Sequence, residues 1–97
     1  ICVFYQLYSL DKEGKRIKHY YPIESVGIAT GFLISALHQL GIATLTYTPA
    51  PMSFLNKILN RPDSERPFLI LVVGYPSSEY ALPFISKKEL KDISITI

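Results

Sequence analysis

Between Pro22 and Gly41 lies a segment of helix length that is apolar almost all the way round, and it constrains the fold more than any other feature. Proline is tolerated in a first helical turn, Glu24 is favourable near the positive end of a helix, and Gly41 supplies a stop. The spacing therefore predicts a helix over residues 22 to 40. Positions 23, 26, 30, 33, 37 and 40 form one stripe, which Ile28, Phe32 and Ala36 extend around the cylinder. A helix of this kind is expected to be long and buried on most sides. Glu24, Ser25, Ser35, His38 and Gln39 interrupt the run, so it does not read as a membrane span. On the remaining face Gly27, Gly31 and Ser35 recur every four residues, a seam for close backbone approach whose partner could be the same helix of a second subunit. His38 lies on this line. With no second His, Cys or carboxylate at ligand spacing, it reads as a hydrogen-bonded packing residue, and no metal site is expected.

A chain of 97 residues is one domain, residues 1 to 97, or part of one. At this size about two-thirds of the unfolded surface can be buried, so the core is marginal. Yet 48% of residues are hydrophobic and the mean hydropathy is +0.22. That surplus of apolar surface points to a partner. The net charge of +2 is too mild for a protein that would gain affinity by neutralising phosphate backbones, which excludes a nucleic-acid binder. The single cysteine, Cys2, cannot form an internal disulfide; it reads as core filling in a reducing interior. The chain opens on a strand-like run, 1 to 10, without an initiator methionine or a targeting segment, and is expected to be cut from a longer cytoplasmic protein.

Asp11 to Gly14 reads as a turn, and the charge run Lys12, Lys15, Arg16 and Lys18 around it as a solvated loop rather than a binding patch. After the helix, Ile42, Thr44, Thr46 and Thr48 alternate with Ala43, Leu45 and Tyr47, so a strand there puts its hydroxyls on one face before Pro49 and Pro51 stop it. Stiff β-branched hydroxyls suit contact with a flat heteroaromatic ligand, although an ordinary amphipathic strand has the same spacing. A short helix is expected from Pro51 to Leu59 with Phe54, Leu55, Ile58 and Leu59 inward. Residues 68 to 73 read as a central strand buried on both faces, and 93 to 97 as a final strand free for exchange with a partner. The expected order is β-α-β-α-β-β with mainly antiparallel pairing.

Four ordered blocks carry a resemblance: residues 27 to 41, Thr44-Leu-Thr-Tyr-Thr-Pro49, Leu59-Asn-Arg-Pro62 and Val73-Gly-Tyr-Pro76. Over its whole length the chain resembles the C-terminal half of nitroreductase-family FMN flavoproteins, closest to the iodotyrosine deiodinase-like branch. The resemblance implies an α+β fold, a mainly antiparallel sheet packed with the long buried helix. It further implies two entwined subunits that build flavin sites between them. The implied function is that of an FMN-dependent oxidoreductase drawing electrons from NAD(P)H and passing them to a small-molecule acceptor.

Within that branch the stretch matching Thr46-Tyr47-Thr48 lies against the flavin ring. The position of Thr48 donates a hydrogen bond near flavin N5, which would favour the reduced ring and makes Thr48 the catalytic candidate. Lys87 falls where the branch has an arginine that reaches the FMN phosphate. The charge is kept, but a bidentate fork becomes a point charge. Lys88 is the adjacent candidate, and a solvated loop lysine is the plain reading of either. The family's N-terminal arginine- and serine-rich motif and its substrate lid have no counterpart here, so the expected partner is a homo-oligomer or a complementing N-terminal half. A non-catalytic association module is the alternative.

Overall fold

The structure is a computed structural model describing residues 1 to 97. Five strands and three helices follow in the order β1 (Cys2–Gln6), β2 (Tyr8–Leu10), β3 (Arg16–Lys18), α1 (Pro22–Gln39), β4 (Ala43–Tyr47), α2 (Phe54–Ile58), β5 (Glu65–Gly74) and α3 (Leu90–Ile93). The main sheet has the order β1-β5-β4 and β2 pairs with β3, every pairing antiparallel. β5 is central, as its continuous apolar run predicts.

Pro22 opens α1 after Tyr21, which takes a left-handed conformation at φ 52°. Its end is a Schellman turn. The Gly41 amide donates to the His38 carbonyl at 3.0 Å and the Ile42 amide to the Leu37 carbonyl at 3.0 Å. Gly41, at φ 73°, supplies the left-handed position that this turn requires. The same device ends α2, with Asn60 left-handed at φ 50° and the Arg61 amide donating to the Asn56 carbonyl at 2.8 Å. The Asn56 amide group then donates to the Glu65 carbonyl at 2.8 Å, tying α2 to the start of β5.

Opposed residues on antiparallel strands share a face. Leu69 lies opposite Val3, Leu71 opposite Thr46 and Val73 opposite Thr44, and this face is covered at Leu69 and Leu71, 8% and 0% exposed, while Thr46 and Val73 stay exposed. α1 crosses β1 and β4 on it. Within α1, Val26, Thr30, Leu33 and Leu37 are the covered part of the expected stripe, and the Thr30 hydroxyl, the one buried polar side chain, donates to the Val26 carbonyl at 2.7 Å. The opposite sheet face is bare. Leu45, 63% exposed, stands beside Val72, 51% exposed, and Tyr47 beside Ile70.

Several expectations fail in an instructive direction. α1 is covered on one side only, with Phe32 75% exposed and Ile23, Ile28 and Leu40 also open. β5 is buried on one face, not two. Only Leu55 of the expected inner side of α2 is buried, and Cys2 is exposed rather than core filling. His38 is exposed and its side chain makes no hydrogen bond. Residues 93 to 97 form no strand; α3 ends at Ile93 and the tail pairs with nothing, because no free strand edge of this chain meets it. The opening run splits into β1 and β2, with β3 returning on β2. In each burial failure the residue types suit an interior that this chain alone does not provide.

Beyond β5 every residue is exposed, and every hydrogen bond made after Gly74 is local to that arm. The radius of gyration is 17.8 Å, against ~13 Å for a compact domain of this length. The accessible surface is 8464 Å², where a compact monomer of 11.0 kDa would show roughly 5,600 Å².

Candidate flavin edge

β4 is an edge strand, so one row of its backbone amides and carbonyls is unpaired. It ends at Tyr47, and Thr48 leads into Pro49-Ala50-Pro51, where the Ala50–Pro51 bond is cis. Proline cannot continue a strand ladder, so the sequence stops β4 here and exposes its last hydroxyls. The hydroxyls of Thr44, Thr46 and Thr48 make no hydrogen bond within the chain, whereas the other threonine of the sheet–helix core, Thr30, is satisfied. Thr46 and Tyr47 take opposite faces of β4, and Thr48 follows just past its end. The three residues thus present two donor–acceptor hydroxyls at the end of the strand and an aromatic ring on its other face.

Lys87 and Lys88 lie in the arm outside any helix or strand, exposed, with no hydrogen bond or ion pair. No polar contact brings Lys87 together with Thr46, Tyr47 and Thr48. The four expected site residues are therefore free donors on two separate parts of the chain. A cavity of about 370 Å³ does lie on β4, lined by His38, Ile42, Thr44, Pro76, Tyr80 and Leu82. It sits at the start of the strand, ~13 Å along from Thr48. Sequence reasoning fixed on the hydroxyl face and missed the bare apolar face of Leu45, Tyr47 and Val72.

The ion pairs of the chain lie away from this edge. Arg61 grips Glu65 with two hydrogen bonds of 2.6 and 2.7 Å, and the guanidinium holds the Glu65 carboxyl below its ordinary range. No helix is long and apolar enough to cross a membrane.

No family model matches the chain. It is 51% identical over 89 residues to an iodotyrosine deiodinase of Haliscomenobacter hydrossis, covering 92% of this chain and 40% of that protein. It is 39% identical over 98 residues to iodotyrosine deiodinase 1 of Homo sapiens, covering 100% of this chain and 34% of that protein. The chain thus spans about two-fifths or less of the length of the curated relatives it matches. Its fold superposes on the crystal structure of an oxidized iodotyrosine deiodinase bound to FMN and 3-iodo-L-tyrosine. The TM-score is 0.73 at 30% identity, over 92% of this chain and 42% of that one.

Proposed function

Because the chain belongs to the iodotyrosine deiodinase-like branch of the nitroreductase family, we propose that it is the portion of an FMN-dependent oxidoreductase that supplies one edge of the flavin site. The observation that carries this reading is the free edge of β4, ending in hydroxyls that have no partner of their own in a chain so similar to iodotyrosine deiodinases. Unpartnered donors at a stiff strand end fit a planar heterocycle rimmed with acceptors. When bound, FMN would carry two electrons from NAD(P)H to a small-molecule acceptor, here a halogenated phenol of the iodotyrosine class.

The residues divide the work. Thr48 would hold the hydrogen bond near flavin N5, Thr46 and Tyr47 would line the ring, and Lys87 would meet the phosphate. Thr46 and Thr48 are both β-branched, so each hydroxyl is aimed with little rotamer entropy to lose. Lys87 sits on an arm that makes no hydrogen bond to its own body, so it reaches a flavin only as that arm is placed by a second subunit or a complementing N-terminal half.

Association follows from the same surface accounting. The excess over a compact monomer is roughly 3,000 Å², comparable to what each protomer contributes to a large obligate interface. A cytoplasmic, reducing location fits the exposed, unpaired thiol of Cys2. The bare sheet face and free arm equally serve the second reading, an association module without chemistry.

Reconstitution separates the two. Combined with a complementing N-terminal half, the chain is expected to yield a yellow protein that NAD(P)H bleaches without oxygen; a colourless complex would leave only the module. In the yellow complex, Thr48→Ala should shift the flavin reduction potential with FMN affinity nearly unchanged. Lys87→Ala should do the reverse, weakening FMN by about 1.5–3 kcal/mol, the range for a hydrogen bond to a charged group. An unchanged potential and an unchanged affinity would remove the site assignment.

A further inference from the structure

We propose that the cleft between the β2–β3 hairpin and the start of β5 binds the phosphoryl group of a small hydroxylated organic phosphate, through Arg16, Lys18 and Arg66. The hairpin is a built platform. One Asp11 carboxylate oxygen accepts the amides of Glu13 at 2.9 Å and Lys15 at 2.8 Å, and Gly14 takes the left-handed turn position at φ 80°. That turn sets the register Tyr8 opposite Lys18 and Leu10 opposite Arg16, which places both cations on the face of Tyr8. The hairpin is also tied down at its base. The Leu7 amide donates to the Ser64 carbonyl at 2.8 Å and the His19 amide to the Leu7 carbonyl at 3.0 Å.

Arg16 is pre-positioned by its neighbour. Its guanidinium carbon lies 4.6 Å from the centre of the Tyr8 ring, a stacking that fixes the plane and leaves the N–H edges without a hydrogen bond. Arg66, from β5, faces it across a cavity of about 610 Å³ together with Asp63. Arg61 occupies Glu65, so that carboxylate is not free to neutralise Arg66. Arg16, Lys18 and Arg66 have no ion-pair partner. Three cations against one carboxylate give the cleft a charge of +2, as large as the net charge of the whole chain.

Cations gathered around open space repel one another, and a dianion offsets that repulsion. A phosphate monoester carries about −1.5 to −2 at neutral pH and offers acceptors in three directions, which a monocarboxylate cannot match. The volume lies within the ~300–1,000 Å³ of small-ligand sites and leaves room for an organic body against Leu7 and Tyr8. Asp63 is an acceptor beside the anion, suited to a sugar hydroxyl. The charge run that reads from sequence as a solvated loop is thus divided: Lys12 and Lys15 stay in solvent, while Arg16 and Lys18 turn into the cleft.

Titration of the isotopically labelled chain with ribose 5-phosphate, without FMN and at low salt, tests this site independently of the flavin edge. Saturable amide shifts confined to Leu7, Tyr8, Lys18 and Arg66 are expected. Arg16→Ala and Arg66→Ala should each weaken binding about tenfold, Arg66→Lys less, and Lys15→Ala, which removes an equal charge outside the cleft, not at all. Asp63→Asn should tighten inorganic phosphate and reduce the preference for ribose 5-phosphate over it. Shifts that fail to saturate, that spread over Lys12, Lys87 and Lys88, or that respond equally to Lys15→Ala and Arg66→Ala would overturn the proposal.

Discussion

The body of the chain, residues 1 to 74, and the arm, residues 75 to 97, are made of similar amino acids and end in opposite states. In the body, β5 pairs on both sides, Leu71 is fully covered, and both longer helices finish in closed left-handed turns. The arm carries Tyr75, Tyr80, Leu82, Phe84, Ile85 and further isoleucines, all exposed, and its hydrogen bonds reach only a few residues away. Hydrophobic content alone therefore does not decide burial. What the body has and the arm lacks is a set of backbone donors and acceptors already facing it, and such a set exists unused on the free edges of β1 and β4.

The comparison can be broken first at the core. Leu71→Ala should cost about 2–5 kcal/mol of unfolding free energy, read from urea denaturation; a cost below ~1 kcal/mol would mean that the body is no better packed than the arm. Next comes Phe84, 100% exposed. Phe84→Asp should leave the unfolding of the body unchanged yet weaken self-association at least tenfold, about 1.4 kcal/mol, measured by sedimentation over a concentration series. An unaltered association constant would show that the arm engages nothing.

Gly31 sharpens the case for α1. A Cβ added there meets nothing within 4 Å of this chain, so Gly31→Ala should stabilise the body by about 0.5–1 kcal/mol through helix propensity. If the small-residue seam receives a second copy, the same substitution should instead weaken association, and the two readouts separate the roles.

The smallest effect belongs to Arg61 and Glu65. The hydrogen bond from Arg61 lowers the Glu65 carboxyl relative to the unfolded chain, so the stabilisation is present above the ordinary carboxylate range and is lost as pH falls through the lowered folded value. Wild type should therefore lose slightly more stability than Glu65→Gln between pH 6 and pH 3. Parallel curves for the two proteins would remove the pair from the account.

Punctuation and continuity were legible in the sequence. Pro22 and Gly41 bound α1 because one fixes φ and the other admits a left-handed turn, both local properties. Residues 68 to 73 read as central because only a strand flanked by others tolerates so long an apolar run. The hairpin escaped notice because β3 holds a single apolar residue, Ile17, between two cations, and its signal lay in the Asp11 turn. The expected strand at 93 to 97 failed for a different reason: alternation gives a segment the capacity to pair, while pairing needs an edge within reach. Spacing placed Thr44 and Thr46 on one face of a strand and left an ordinary amphipathic strand open, but the exposure of Leu45 and Tyr47 depends on where α1 lies, which no local pattern encodes.

The central position of β5 also dictates the order in which this molecule is able to form. β1 and β4 never touch each other; each pairs with β5 alone, and the closing contacts join Ile1 to Leu71, 70 residues away. Until β5 is in place the three-stranded sheet cannot form, although the β2–β3 hairpin can, and α1 has its apolar stripe and nothing to lie on. Such long loop closures are slow and leave sticky surface open meanwhile. A chain interrupted before residue 65 would hold α1 with no main sheet to lie on.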